Sequence, residues 1–206
     1  MIFTDKTILE SIDSEQIVIK PFISANVGTN SVDLTLNEKI LVYNNAVNYN
    51  NEEKKFKEIS PNTFQDVPYI EGNFIDCREK NETIELYIPE SGMILVPGQL
   101  YIASTNEYTE THNAVPKLEG KSSIGRLGLF VHVTAGYGDV GFCGTWTLEL
   151  VATVPIKIYP NMKICQISYH GISHPPLVKY SDKSDAKYSG QIGATASKRE
   201  ENFVNQ

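Results

Sequence analysis

Apolar residues recur along this chain mostly at every second position, in short runs. "IVIKPF" (17–22), "SVDLTL" (31–36) and "KILVY" (39–43) are rich in β-branched side chains with polar residues between them, the pattern of half-buried strands. From Thr145 onward the same period places Trp146, Leu148 and Leu150 on one face and Thr145, Thr147 and Glu149 on the other. A helical period occurs over Thr4 to Ile12, where Ile8, Leu9 and Ile12 share a face and Thr4 or Asp5 can cap the N-terminus. Two later segments echo each other: "ILVPGQLYIAS" (94–104) and "IKIYPNMKICQIS" (156–168) each run strand, proline turn, strand, which predicts an antiparallel hairpin in each. Many short strands separated by turns, with little helix, predict an all-β, mainly antiparallel fold: a β-barrel or a jelly-roll-like sandwich.

Two stretches break the pattern. "NNAVNYNNEEKKFKEISPN" (44–62) is polar and asparagine-rich without periodicity and reads as a long surface excursion within a region spanning about 44–90. The tail from His174 onward carries proline, glycine and lysine and is too polar for core, so by default it is a disordered terminus. The expected organisation is a barrel domain over 1–173 followed by a C-terminal segment, 174–206. A chain of 206 residues can form one domain that buries about 70% of its unfolded surface.

Composition narrows the function. With 18 basic and 25 acidic side chains the net charge is −7, which disfavours nucleic acid as a partner because that needs an extended basic footprint. Cys77, Cys143 and Cys165 are odd in number and widely spaced, so neither a disulfide framework nor a CxxC zinc site is indicated, and a reducing, cytoplasmic location is expected. The N-terminus "MIFTDKTILESI" is neither a signal peptide nor a membrane span.

Candidate chemistry begins at residues 120–128, "GKSSIGRLG". A P-loop needs a glycine five positions before its Gly-Lys pair. Here that position is Val115, followed by Pro116, so a Walker-type site is unlike this one. What remains is a lysine, two hydroxyls and an arginine among glycines, donors on a backbone that can approach an anion closely; Ser122, Ser123 and Arg126 equally fit a capped turn with an exposed arginine. Glu149, mid-strand between two core leucines, is either a solvent-facing glutamate or a rigidly held general base. Asp139, between Gly138 and Gly141, is a turn residue or a ligand contact. His170 and His174 have the spacing of a helical metal pair, but Gly171, Pro175 and Pro176 oppose a helix. The zinc-deaminase signature is missing, so any hydrolysis is expected to proceed without zinc.

The block "GKSSIGRLGLFVHVTAGYGDVGFCGTWTLEL" resembles the centre of the dCTP deaminases, relatives of the trimeric dUTPases. "NSVDLTL" (30–36), "MKICQI" (162–167) and "DAKYSGQIGATAS" (185–197) resemble further family segments in the same order, so the likeness covers most of the chain outside 44–90. It implies a distorted β-barrel of the dUTPase type assembled as a homotrimer, with sites at subunit interfaces. The family's catalytic glutamate falls on Glu149, and its supporting serine and arginine fall on Ser122 and Arg126. Lys121, Ser122, Ser123, Ile124, Gly125 and Arg126 are implied contacts of triphosphate and base. Ala135 and Tyr137 join them, Asp139 meets the deoxyribose 3′-hydroxyl, and Thr147, Leu148 and Glu149 read the pyrimidine edge. Gln166, Tyr180, Lys187 and Gln191 complete the site, with the C-terminal segment closing over the phosphates.

The implied reaction is attack of water on C4 of cytosine, with Glu149 as base and Mg2+ chelated by the substrate triphosphate rather than held by the protein. Lys121 and Lys187 supply local positive charge that the net charge lacks. Gly136 and Tyr137 resemble the bifunctional members that carry dUTP on to dUMP and pyrophosphate. Gly138 and Val140 depart from the family pattern, which has isoleucine or valine, and proline or alanine, at those positions; such changes would loosen the Asp139 turn. The alternatives are a dUTPase lacking deaminase activity and a catalytically silent, nucleotide-binding regulatory trimer. Glu149, Ser122 and Arg126 speak against both.

Overall fold

The computed structural model describes residues 1–44, 75–132 and 134–203. The excursion expected over 44–62 lies, from residue 45 on, outside the described residues. In chain order the elements are helix α1 (Asp5–Asp13), β1 (Ile17–Lys20), β2 (Val32–Thr35), β3 (Lys39–Tyr43), β4 (Thr83–Tyr87), β5 (Met93–Leu95), β6 (Leu100–Thr111) and β7 (Ala114–Gly120). A one-turn helix α2 (Ser122–Gly125) follows, then β8 (Leu129–Val131), β9 (Cys143–Ala152), β10 (Ile156–Ile158) and β11 (Lys163–Gly171).

Every paired strand is antiparallel, as the alternating pattern predicts. One sheet runs β4-β3-β6-β9-β8, with β1 added along the second half of β6; a second runs β2-β11-β7. A continuous core joins them, in which Leu34, Leu118, Leu148, Leu150, Ile164 and Ile167 are fully buried. The helix packs through Ile8, whereas Leu9, one residue further round the helix, points largely outward. Thr4 occupies the N-cap position but its side chain makes no capping bond.

The two echoing segments do not form two hairpins. β5 pairs with β10 instead, in the register Leu95 opposite Ile156 and Met93 opposite Ile158, so the first strands of the two segments find each other. The turns at Pro97-Gly98 and Pro160-Asn161 hand the chain from this small ladder to β6 and β11 in different sheets. The polar region is also shorter than expected at its C-terminal end. Thr83–Tyr87 is an edge strand on β3, where Ile84 and Leu86 pack against the core while Glu85 forms an ion pair with Lys39 at 2.6 Å.

The C-terminal segment lies against β9 rather than free in solvent. Thr145 N–H donates to Gln191 O at 3.0 Å, Gly190 N–H to Cys143 O at 2.7 Å, and Tyr180 N–H to Val140 O at 2.9 Å. Gly144 makes this approach possible: its φ is +144°, and a β-carbon there would stand 2.7 Å from Gln191 O.

Candidate active site

The "GKSSIG" stretch is a turn of helix suspended between two sheets. Ile124 is buried and anchors it, while Ser122, Ser123, Gly125 and Arg126 face solvent. Lys121 turns back to β2 and forms an ion pair with Asp33, whose second oxygen is 3.3 Å from Lys163 Nζ. Opposite Asp33 in the ladder stands Gln166 of β11, whose side-chain oxygen accepts a bond from Ser31 Oγ at 3.3 Å. A cavity of about 400 Å³ opens here, lined by Gly120, Lys121, Ser122, Gly125, Phe130 and Gln166. Lys121, the Ser122 hydroxyl, the Gln166 amide and the Glu119 carboxylate form the polar lining; Glu119 is paired with Lys117 at 2.7 Å, and Asp33 is already occupied by two lysines. The Lys121 ammonium, the Ser122 hydroxyl and the Gln166 amide are donors that suit phosphate oxygens.

A second cavity of about 520 Å³ is lined by Val115, Tyr137, Gly138, Asp139, Val140 and Tyr180, among others. Its floor is the turn 136–141. Leu118 N–H donates to Gly136 O at 2.7 Å and Gly138 N–H to Pro116 O at 2.8 Å, so the turn is laced to β7. Asp139 is exposed at the rim, and Tyr137 is exposed with its ring edge-on to His170 at 5.7 Å. His170 lies in β11, so His170 and His174 do not make the one-face pair that a helix would give. At Gly138 the indole of Trp146 fills the space that a side chain would take.

Glu149 sits in the middle of β9, opposite Ile102 of β6. Its Oε2 stands 2.6 Å from Nδ1 of His132, and among the described residues neither of those two atoms has another polar partner. His132 Nε2 faces Ala135 O at 2.7 Å. Burial opposes charging of this imidazole, but the Glu149 carboxylate and the Ala135 carbonyl outweigh it, and the His132 pKa is raised above its ordinary value. The backbone at His132 is left-handed, φ +52°, a conformation that a histidine holds only when its surroundings over-determine it. His132 N–H donating to Glu149 O at 3.1 Å supplies one such constraint.

Residue by residue, the expected site is partly assembled. Lys121, Ser122, Gly125 and Gln166 share one cavity, and Tyr137, Asp139 and Tyr180 share the other. Thr147 Oγ1 accepts bonds from Gln191 Nε2 and Thr195 N–H, both at 3.3 Å, so the tail covers the β9 face on which Glu149 also lies. Ser122 and Arg126 make no hydrogen bond or ion pair with Glu149 within the chain; among the described residues His132 is the side chain paired with it. Leu148 is wholly buried, which leaves only its backbone to face a ligand. Lys187 is tied within the tail, its Nζ donating to Lys198 O at 3.1 Å and to Asn202 Oδ1. The pattern reading passed over His132, Asp33 and Lys163. Asp33 and Lys163 carried no signal beyond an ordinary polar position on a strand, and His132 sits just past an apolar triplet whose left-handed exit no periodicity reveals.

A family model described as dCTP deaminase-like matches residues 2–172. The chain is 44% identical over 193 residues to a dCTP deaminase, dUMP-forming, of Clostridium botulinum (strain Eklund 17B / Type B), covering 94% of this chain and 93% of the relative. It is 40% identical over 205 residues to a protein of the same name from Clostridium acetobutylicum, covering 100% of both chains. Among solved structures it is similar to the 2′-deoxycytidine 5′-triphosphate deaminase of Agrobacterium tumefaciens, with a TM-score of 0.54 and 19% identity, a likeness of fold covering 83% of this chain and 48% of that one.

Proposed function

The chain belongs to the dCTP deaminase-like family, and from that premise we propose that it hydrolyses dCTP to dUTP and ammonia and carries dUTP on to dUMP and pyrophosphate. The observation that carries this reading is Glu149, a carboxylate held mid-strand with one oxygen buried against His132 and the C-terminal segment docked alongside it on Thr147. Water attacks C4 of the cytosine ring; Glu149 takes one of its protons and delivers it to N3, then carries the second, from the new C4 hydroxyl, to the departing amino group. The C4–N bond breaks, ammonia leaves and C4 keeps the oxygen. Ser122 and Arg126 orient the water and the base, and donors around them stabilise the charge that develops. A second water then attacks the α-phosphorus and pyrophosphate departs. Lys121, with Gln166, holds the triphosphate, whose own oxygens would chelate Mg2+ and so offset its charge; Asp139 and Tyr137 hold the deoxyribose.

A neighbouring copy completes the site in this reading. Within one chain neither Ser122 nor Arg126 makes a hydrogen bond or ion pair with Glu149, and Leu127, Phe130, Val151 and Val154 leave an apolar patch exposed around the edge strand β8. Both observations support a homotrimer that buries this patch, and light scattering on the purified protein tests it. No helix among the described residues is long and apolar enough to cross a membrane, and the three cysteines are free, which suits a reducing, cytoplasmic location.

The test is incubation with dCTP and Mg2+, resolving dUTP, dUMP, pyrophosphate and ammonia, repeated with Glu149→Gln. Ammonia with dUMP is expected from the wild type, and binding without turnover from the variant. Ammonia with dUTP alone sinks the second hydrolysis, and absence of turnover sinks the enzyme.

A further inference from the structure

The turn that carries Tyr137 and Asp139 packs against a side chain outside it. Gly138 does not adopt a left-handed conformation, so its backbone has no need of glycine. Space is the reason for it: a β-carbon there would stand 2.3 Å from Cη2 and 3.2 Å from Cζ3 of Trp146, and 2.9 Å from Cγ of Pro116. The indole therefore occupies the volume that a side chain at 138 would fill. It is itself held firmly, since Nε1–H donates to Thr109 Oγ1 at 2.9 Å and the ring packs on Phe142 at 4.7 Å between centroids. Phe142 in turn meets Tyr180 at 6.2 Å, and Tyr180 lines the same cavity as Gly138 and Asp139. The turn and the tail residue facing it thus rest on two buried rings that pack on each other, the turn on Trp146 and Tyr180 on Phe142.

We propose that Trp146 is a positioning residue for the sugar end of the nucleotide: it substitutes for a side chain at 138, immobilises the 137–141 turn, and so gives Asp139 a single placement against the deoxyribose hydroxyl. This rests on dCTP being the substrate and on Asp139 being its sugar contact. The physical need is evident from composition. With Gly136, Gly138 and Gly141 within six residues, the turn has wide conformational freedom, and a carboxylate on it would meet a ligand only in the fraction of states that aim it correctly. Filling the Gly138 pocket from β9 removes those alternatives, because the turn cannot move inward without displacing a ring packed on three sides.

The experiment compares kcat/KM for dCTP and 2′,3′-dideoxy-CTP in the wild type, Trp146→Phe, Trp146→Leu and the double variant Trp146→Leu/Gly138→Val, with folding checked by circular dichroism. In the wild type, loss of the hydroxyl costs about 10- to 100-fold, the weight of a hydrogen bond to a charged group. Trp146→Leu should bring the two substrates close to parity, Trp146→Phe should fall between, and refilling the pocket with Gly138→Val should restore most of the discrimination. General damage to the fold lowers both substrates together and leaves their ratio unchanged, so the ratio isolates positioning. Should Trp146→Leu fail to fold, Trp146→Phe carries the comparison. An unchanged ratio in the folded variants overturns the role of Trp146 and leaves the deaminase intact. A wild type that turns over both substrates equally overturns the sugar contact and the proposal with it. A wild type inert toward dCTP overturns the proposal together with the deaminase reading.

Discussion

His132 Nδ1 and Glu149 Oε2 face each other at 2.6 Å across the junction of β8 and β9, each the other's polar partner. The pair makes the ligand-free protein sensitive to pH in a defined direction. The folded-state pKa of His132 is raised, so the stability it contributes is fully present below the ordinary histidine value of about 6.5 and is lost as pH rises through the folded value. Melting of the ligand-free protein followed from pH 6 to 9 should therefore show a decline over that window that His132→Gln flattens. Equal pH slopes for both proteins would mean that the pair carries no proton-linked stability.

Lys121 is predicted to serve binding more than chemistry. It is largely covered and already paired with Asp33, so its charge is held at the cavity it shares with Ser122 and Gln166 before a ligand arrives. An interaction made equally with substrate and transition state lowers KM without raising kcat. Lys121→Met should raise KM for dCTP by about tenfold or more, the weight of one charge-assisted hydrogen bond, with kcat little changed. A fall in kcat at constant KM would place the lysine in the chemical step instead.

How much of this was legible in the residues depends on how local the cause is. The two-residue period from Thr145 to Leu150 puts Trp146, Leu148 and Leu150 inside and leaves Glu149 on the other face, and that is what the structure has. The period acts within one strand, so one strand suffices to read it. The pairing of β5 with β10 joins residues some sixty positions apart, and the proline turns that suggested local hairpins say only that the chain reverses, not which strand it meets. Gly138 illustrates the same limit in the site. Read alone it loosens a turn; read against Trp146, eight residues on, it is the vacancy that lets the turn be clamped. His132 depends on a backbone angle, and the docked tail depends on room left at Gly144 by a missing side chain, so neither leaves a periodic trace.

The tail should open as a unit, and Gln191 should control it. Its Nε2 donates to Thr145 O at 2.8 Å and to Thr147 Oγ1 at 3.3 Å, on the β9 face that carries Glu149. Lys187 and Lys198 are bonded to each other's carbonyls, so a protease must wait for local opening before cutting beside them. Gln191→Ala removes bonds worth together about 1–2 kcal/mol and should speed tryptic release of the C-terminal segment by about tenfold, read by mass spectrometry, while the barrel stays intact. Bound dCTP should slow the cut in the wild type. Digestion at an unchanged rate would show that the tail is docked by its backbone bonds alone.

Glu107 is predicted to matter for stability and, through register, for the site. It is 2% exposed and lies where the β6–β9 ladder slips between Ser104 and Tyr108, so that three residues of β6 stand against Trp146 alone. The bulge turns the Glu107 carboxylate across to the other sheet, where its oxygens accept Thr35 N–H and Thr35 Oγ1–H, both at 2.8 Å. Thr105 Oγ1 in the same bulge accepts Trp146 N–H at 3.0 Å, and regular pairing resumes with Ser104 opposite Thr147 and Ile102 opposite Glu149. A slip of one residue here would turn Glu149 into the core. Glu107→Ala leaves Thr35 N–H without its partner and should cost about 2–4 kcal/mol, seen as a fall in Tm of about 5–15 °C at fixed protein concentration. Glu107→Gln keeps one acceptor and should cost less. Because the bulge sets the register of β9, deamination by Glu107→Ala at a temperature where it remains folded should still fall below wild type. Full activity there would show that the ladder holds Glu149 in place without the bulge.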